Sequence, residues 1–291
     1  MLKIGVIGTP GGWSSEKLAD AVHKQTGFRK LIDMKRIGLD LTGGQAWFEG
    51  EDIAAYDALI IKKIGARYSP DLLDRLEMLR FLHQRGLPIF SNPERIMRVL
   101  DRLSCTVTMR LADIPMPPTT ITEDVDVAVQ AVTRYGKAVF KPLYSTKAKG
   151  MMLIKAEEDV RIIVESYHRD NPIMYIQQWL DLNGKDLGLA FLGGRYLTTY
   201  ARVKGADAWN TTTRAGGHYA PYTPSPQLIA LAQRAQALFD LDFTCVDIAE
   251  TEAGPIVFEV SAFGGFRGIL TASGIDAADR YADFVIERIT A

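Results

Sequence analysis

The sequence predicts a mixed α/β and α+β fold in three consecutive parts: a parallel α/β module, a small α+β module and a larger antiparallel α+β module. Three observations carry that reading. Strand-like and helix-like runs alternate over the first ninety residues, the pattern changes after the turn signal Asn92-Pro93, and long strands joined by tight turns fill the last hundred residues. At 291 residues the chain is too long for one minimal domain, on a prior of roughly 150 residues each.

In the first part, Lys3–Gly8 is a short β-rich run ended by Thr9-Pro10-Gly11-Gly12. Ser14 or Ser15 is placed to cap a helix that carries Leu18, Ala19 and Val22 on one face. Strands follow at Leu31–Met34 and Ala58–Ile64. Pro70 opens a helix with Leu72, Leu73, Leu76 and Leu79 at helical spacing, ended by Gly86, and Leu87–Ser91 is the fourth strand. Strands separated by helices pair in parallel through crossovers. Beyond Pro93 the pattern predicts one helix from about Glu94 to Ala112, broken by Pro115, Pro117 and Pro118. A hairpin-like pair, Ala138–Leu143 and Met151–Ile154, comes next, joined by the loop Tyr144–Gly150. A helix with Val160, Ile163 and Val164 leads to a strand at Met174–Leu180. Strands at 187–192, 196–204, 244–249 and 256–261 are joined by turns at Gly193-Gly194 and Glu252–Pro255. Helices at about Ser225–Leu238 and Ala277–Ile289 complete the chain.

Composition narrows the function classes. Hydrophobic residues make up 47% and charged residues 24%, which suits a globular chain with a sizeable core. Net charge is −1, so no basic field points to nucleic acid or an anionic membrane. The two cysteines, Cys105 and Cys245, sit inside apolar runs and read as buried hydrophobes of a reducing compartment. No apolar run reaches the ~18–20 residues of a membrane span, and MLKIGVIG is too short an apolar run for a signal peptide. A cytoplasmic protein is the expectation.

The chemistry-bearing residues cluster in short segments along the chain. Asp247 in TCVDIAE and Glu259 in VFEVSA are carboxylates inside apolar strand runs, where burial is costly unless a positive group meets them. If the Glu252–Pro255 turn pairs the two strands, both acids converge on one face. With Ser261 two residues on, they make an oxygen set suited to a hard cation such as Mg²⁺; the alternative is two outward-facing strand acids. The segment AFGGFRG follows, with Arg267 as a charge partner, either an anion-binding nest or a plain turn. Lys141 in AVFKPLY and Lys147 in the next loop suit phosphate oxygens, with Arg102 as a further cation; each also reads as a solvent-facing charge. Gln178, Trp179 and Leu180 end a strand and offer backbone groups and an apolar wall to a purine. The loop WNTTTRAGG brings Arg214 and three threonines. Lys63 and Arg67 near a strand end are consistent with an acidic substrate. The N-terminal GVIGTPGGW has the layout of a dinucleotide site, with Asp33 further on, but Gly5 and Gly8 lie in the strand instead of opening the helix.

In this order the segments resemble the ATP-grasp superfamily, most closely the RimK-like carboxylate–amine (glutamate or peptide) ligases, over nearly the whole chain. DALIIKKIG, SNPERIMRVLDRLSC and IPMPPT are similar to the family's sheet strand, nucleotide-binding helix and proline-marked lead into the ATP-grasp module. VFKPLYSTKAKGM resembles the second nucleotide lysine and the phosphate-covering loop; YIQQWLDLNGKDL resembles the adenine hinge. YARVKGADAWNTTTRAGG resembles the strand and loop that line the active site, and CVDIAE with FEVSAFGGFRGI the metal pair.

The resemblance implies an ATP-grasp fold with an N-terminal parallel α/β (pre-ATP-grasp) domain. Its parts would be 1–92 (Rossmann-like), 93–180 (small α+β) and 181–291 (α+β with the metal site). It implies ATP and Mg²⁺, with Mn²⁺ as the other candidate. Arg102, Lys141 and Lys147 would face the phosphates, Gln178, Trp179 and Leu180 the adenine, and Asp186 the ribose. Arg202 and Arg214 would face the transferred phosphoryl group, with Arg267 beside the glycine segment as a further catalytic candidate, and Asp247, Glu259 and Ser261 would face the metal. The implied activity joins a carboxylate, activated as an acyl phosphate, to an amine of an amino acid or peptide, in a homodimer or homotetramer. The chain departs from the family pattern at several points. Arg102 stands for a lysine, Gln178 for a glutamate, Gly188 for an arginine, Lys147-Ala148-Lys149 for a glycine-rich loop, Ser261 for an asparagine, and Ala215 for an arginine. These departures leave a second reading open, a non-catalytic nucleotide-binding protein of the same fold, in the manner of synapsin. A third, nicotinamide binding near Gly8–Gly12, requires the first part to hold the cofactor.

Overall fold

The structure, a computed structural model, describes residues 1–145, 148–206, 208, 210–212 and 215–291. The first part is built from β1 (Ile4–Ile7), α1 (Trp13–Thr26), β2 (Leu31–Ile32), β3 (Gly38–Leu39), β4 (Ala46–Phe48), β5 (Glu51–Asp52), β6 (Ala58–Ile61), α2 (Asp71–Gln84) and β7 (Ile89–Phe90). β2, β1, β6 and β7 form a parallel sheet in that order, as the alternation of strand and helix predicts. β1 and β6 are buried at every residue, which a sheet covered on both faces requires. Two details differ from expectation. α1 begins at Trp13 on Gly12 without a side-chain cap, because the Ser15 hydroxyl accepts from the Thr9 N–H (3.1 Å) instead. β3, β4 and β5 form a small antiparallel sheet whose two- and three-residue strands are too short to show a period.

The middle of the chain holds α3 (Pro93–Leu100), α4 (Arg102–Leu111), β8 (Thr119–Thr122), α5 (Val125–Tyr135), β9 (Lys137–Lys141), β10 (Met152–Lys155), α6 (Val160–Asp170) and β11 (Met174–Gln178). The single helix expected over 94–112 is two. Asp101 adopts extended backbone between them, and its carboxylate accepts from the Leu103 N–H (2.9 Å), so an N-cap interrupts the run. The sheet order is β10-β9-β11-β8, all antiparallel. Its core, including Ala131, Phe140, Val164 and Ile176, is separate from the rest.

The last part comprises β12 (Lys185–Leu192), β13 (Arg195–Val203), β14 (His218–Pro221), α7 (Pro226–Ala237), β15 (Phe243–Thr251), β16 (Gly254–Ser261), α8 (Phe266–Ser273) and α9 (Ala277–Thr290). The strands form an antiparallel sheet in the order β14-β13-β12-β15-β16. Its apolar residues join those of the first part in two shared cores. One contains Ile61, Leu76, Val99, Met109 and Val246, so α3 and α4 pack here; the other contains Val6, Leu18, Phe243, Phe266 and Tyr281. The first and last parts are thereby welded into one body, with the β8–β11 lobe beside it. Among the described residues, no helix is long and apolar enough to cross a membrane.

Candidate active site

Strand periodicity lays out the site. Residues directly opposite in antiparallel strands, and residues two apart along one strand, share a face. β12 sets Asp186 against Arg202 and Gly188 against Tyr200 on β13, and Gly188 against Asp247 on β15. β15 sets Asp247 against Glu259 and Cys245 against Ser261 on β16. These eight residues occupy one face of the five-stranded sheet. A bulge leaves Phe258 unpaired between Glu259 and Val257, a device that re-aims side chains beside functional sites. All eight except Gly188 line a cavity of about 510 Å³ shared with Arg102, Lys141 and the Gln178–Leu180 hinge.

The cluster is charged and held by pairs. The Arg202 guanidinium bridges Asp186, to which its Nε donates at 2.9 Å, and Asp247, 2.8 Å from its Nη2. Burial works against the Arg202 charge, and Asp247 and Asp186 more than offset it, so its pKa rises. Burial pushes the Asp247 carboxyl up to about 6, against the pull of Arg202. Asp186 is 5% exposed, and its Oδ1 has no hydrogen-bond partner among the described residues. Arg102 begins α4 and reaches across the cavity. It donates to the Pro142 and Ser145 carbonyls (3.2 and 3.4 Å) and pairs with Glu259 (3.6 Å). Lys141 ends β9, donates to the Gln177 amide oxygen and lies over the Phe258 ring (5.2 Å). Burial and then the Arg102 charge lower its pKa to about 7.

The remaining expected residues divide. Trp179 and Leu180 line the cavity with Gln178. The Gln178 and Trp179 N–H groups already donate to the Pro118 and Lys137 carbonyls (both 2.9 Å), so the hinge offers the first free backbone donor no earlier than Leu180. Ser261 lines the cavity, but its hydroxyl accepts from the Phe263 N–H (3.2 Å) and holds the turn after β16. Arg267 is not brought in: it is exposed, in the first turn of α8, with its guanidinium 5.0 Å from the Trp13 ring. The glycine segment before it therefore leads into a helix. Lys147 and Arg214 lie outside the described residues. Gly188 has a packing reason. A Cβ there would sit 2.3 Å from the Tyr200 ring, so Tyr200 fills the space above it. Gly5 and Gly8 are likewise explained by packing, against Ile32 and Leu59 and against Leu31 and Ser15, which removes the need for a dinucleotide near them.

Sequence reasoning missed Lys62, Tyr200 and Tyr219, all on the cavity wall. The signal for Lys62 was available: it follows a four-residue buried strand of a parallel sheet, at the carboxyl end where such sheets bind ligands. The two tyrosines read as ordinary strand aromatics; register sets Tyr200 over Gly188, and Tyr219 lies against Gly268 of α8.

The donor set fits a hard divalent cation. Asp247 and Glu259 face each other, and the unpartnered oxygen of Asp186 lies in the same cluster. No group of three or more His, Cys, Asp or Glu side chains forms a metal cage among the described residues. Mg²⁺ is commonly held by one or two carboxylates with phosphate oxygens and water completing the shell.

Residues 98–285 match the RimK-like ATP-grasp domain. The chain belongs to that family. Among curated relatives, this RimK-like chain is 23% identical to the tetrahydromethanopterin:α-L-glutamate ligase of Methanosarcina acetivorans, over 98% of this chain and 99% of that one. It is 24% identical to a probable α-L-glutamate ligase of Aeromonas salmonicida, over 98% and 96%. Among solved structures, the ATP-grasp ligase PsnB, complexed with a precursor variant, Mg and ADP, superposes with a TM-score of 0.78 at 16% identity over 99% of both chains. The D-alanyl-alanine synthetase A of Vibrio cholerae superposes at 0.75 with 15% identity, over 100% of this chain and 98% of that one. The fold is ATP-grasp.

Proposed function

We propose that this RimK-like protein is an ATP- and Mg²⁺-dependent ligase that joins a carboxylate to an amine, releasing ADP and phosphate. The observation that carries the reading is one cavity walled by two cations from the middle of the chain, Arg102 and Lys141, and by the Asp186–Arg202–Asp247 cluster. The hinge at Trp179 and Leu180 would take the adenine, with Arg102 and Lys141 against the phosphates. Mg²⁺ held by Asp247 and Glu259 would neutralise phosphate charge and draw Glu259 away from Arg102, freeing that guanidinium for the nucleotide. Arg202, fixed by two carboxylates, would hold its donors toward the transferred phosphoryl group as a substrate carboxylate attacks it. An amine then displaces phosphate from the acyl phosphate and loses a proton as the amide forms. Positioning and fixed charge are the protein's contribution.

The relatives named as glutamate ligases support an amino acid or peptide as the amine substrate, and Lys63 at the wall supports an acidic one. The division at 1–92, 93–180 and 181–291 along the sequence, with α3 and α4 packed on the shared body, a cytoplasmic setting and a homo-oligomeric state belong to the same proposal. Ser261, committed to its turn, favours a second reading in which nucleotide binds without turnover.

The test is ATP binding with Mg²⁺, followed by ADP release in the presence of amino acids and acidic peptides. Acceptor-dependent ADP supports the ligase, binding alone supports the second reading, and no binding overturns both. Asp247→Asn is expected to remove most of the Mg²⁺-dependent part of ATP affinity; an unchanged Mg²⁺ response would refute the metal assignment.

A further inference from the structure

Lys62 is a buried cation with no role in the reading above. It lies outside the matched residues 98–285, immediately after β6, and is 1% exposed. Its ammonium donates to the Gly264 carbonyl and lies 3.8 Å from the Phe266 ring centroid and 5.2 Å from that of Phe243. None of these contacts is a carboxylate. Burial, and then the neighbouring Lys63 charge, work against its ammonium. An ammonium so buried is costly unless an anion meets it. One carbonyl and two ring faces use part of its capacity of three donors.

The surroundings favour an anion too. Lys62 lines the cavity, as do Lys63, Gly264 and Gly265. Gly265 is the N-cap of α8 and supplies no side-chain cap, so the positive end of that helix faces the same corner. A Cβ at Gly265 would meet nothing within 4 Å, which leaves open space above the turn. Gly264 is fixed from the other side, because a Cβ there would lie 2.2 Å from the Cys245 sulfur. The Lys62 partner carbonyl is therefore held in place.

We propose that the Lys62 ammonium, beneath the Gly264–Gly265 turn, binds a substrate carboxylate other than the one that is phosphorylated. This rests on the ligase reading and adds a carboxylate anchor to it. The group belongs either to the amine substrate, making it an amino acid, or to a second carboxylate of the acid substrate. The lowered pKa of Lys62, about 7 from burial and then from Lys63, agrees with a cation awaiting its counter-charge.

The experiment follows the ¹³Cε resonance of Lys62 through a pH titration of the full chain with Mg²⁺ and ADP, assigned by its loss in Lys62→Arg. L-Glutamate is added as a carboxylate bearing an amine, and glutarate as one without. The expected result is an upward shift of the Lys62 titration. A shift with L-glutamate alone places the amine substrate at this corner, and a shift with glutarate places the acid substrate. Affinity for the active probe is expected to fall at least about tenfold in Lys62→Met and to be largely restored in Lys62→Arg, as loss of a charge-assisted hydrogen bond implies. ADP affinity should be unchanged in both. No shift with either probe up to tens of millimolar, while ADP binds, overturns the anchor; failure of ADP to bind instead overturns the ligase reading.

Discussion

Two lysines line the cavity, the half-buried Lys141 and the buried Lys62, and their settings are built differently. Lys141 stands on β9 of a lobe with its own core, beside Arg102 and within reach of Glu259. Lys62 stands where the first and last parts of the chain share their cores, against a carbonyl and two rings. Burial lowers both to about 7. One lysine is placed by a local hairpin, the other by a junction between segments two hundred residues apart. The contrast separates what a motif specifies from what only tertiary packing specifies.

The Asp186–Arg202–Asp247 cluster on the same wall provides the harshest test. Arg202→Met removes the cation from the buried Asp186 and the partly buried Asp247 and leaves the two carboxylates uncompensated. Breaking a buried pair from one side costs about 3–5 kcal/mol, so a large fall in thermal stability is expected, with loss of ADP release. Added Mg²⁺ with ADP should recover part of the stability, since a divalent ion replaces the missing charge. Unfolding curves with and without Mg²⁺ check this. A variant as stable as the parent would show that the pairs contribute little.

A smaller effect is expected at Gly188. The Cβ of Gly188→Ala meets the Tyr200 ring at 2.3 Å, and overpacking of this kind costs about 1–3 kcal/mol. In a Tyr200→Ala background the same change should cost much less, because the ring is gone. Denaturant unfolding of the four proteins measures the coupling. Additive effects would refute the account of why the family's arginine is absent here.

The pH response distinguishes the lysines. Because the folded pKa of each lies below 10.5, the unfolded chain binds more protons between about 7 and 10.5, and the free protein gains stability as pH rises through that window. Nucleotide phosphates beside Lys141 should raise its pKa. ADP binding then takes up protons near pH 7, and affinity falls by less than about tenfold per pH unit above it. Calorimetry in buffers of different ionisation heat reads the uptake. Lys141→Arg is expected to abolish it and Lys62→Arg to leave it, which would sharpen the division between the two lysines; equal loss in both would break it.

That division also explains what the sequence disclosed. The parallel sheet, both long hairpins and the Asp247/Glu259 pairing were legible because period-two runs and turn residues encode them locally. Arg102, Lys141 and the hinge were legible through motif order. The break at Asp101 was overlooked because a capping aspartate sits inside an otherwise periodic helix, and β8 with α5 was passed over between stronger signals. Lys62 was hidden for a different reason. Its partners Phe243, Gly264 and Phe266 lie about two hundred residues away, and no local spacing announces them.

Arg267 shows the opposite error, a charge that local pattern placed in the site and packing placed outside it. Its neighbour Phe266 is buried under Lys62, so the first turn of α8 sends the next side chain outward, onto Trp13 at the start of α1. An exposed cation–π contact contributes below about 1 kcal/mol. Arg267→Ala should therefore lower stability slightly and leave both ADP affinity and acceptor-dependent ADP release within about twofold of the parent. A fall in turnover of tenfold or more, with unfolding unchanged, would return Arg267 to the reacting groups. It would also require α8 to turn toward the cavity when substrate is bound, shifting the Gly264 carbonyl that Lys62 holds.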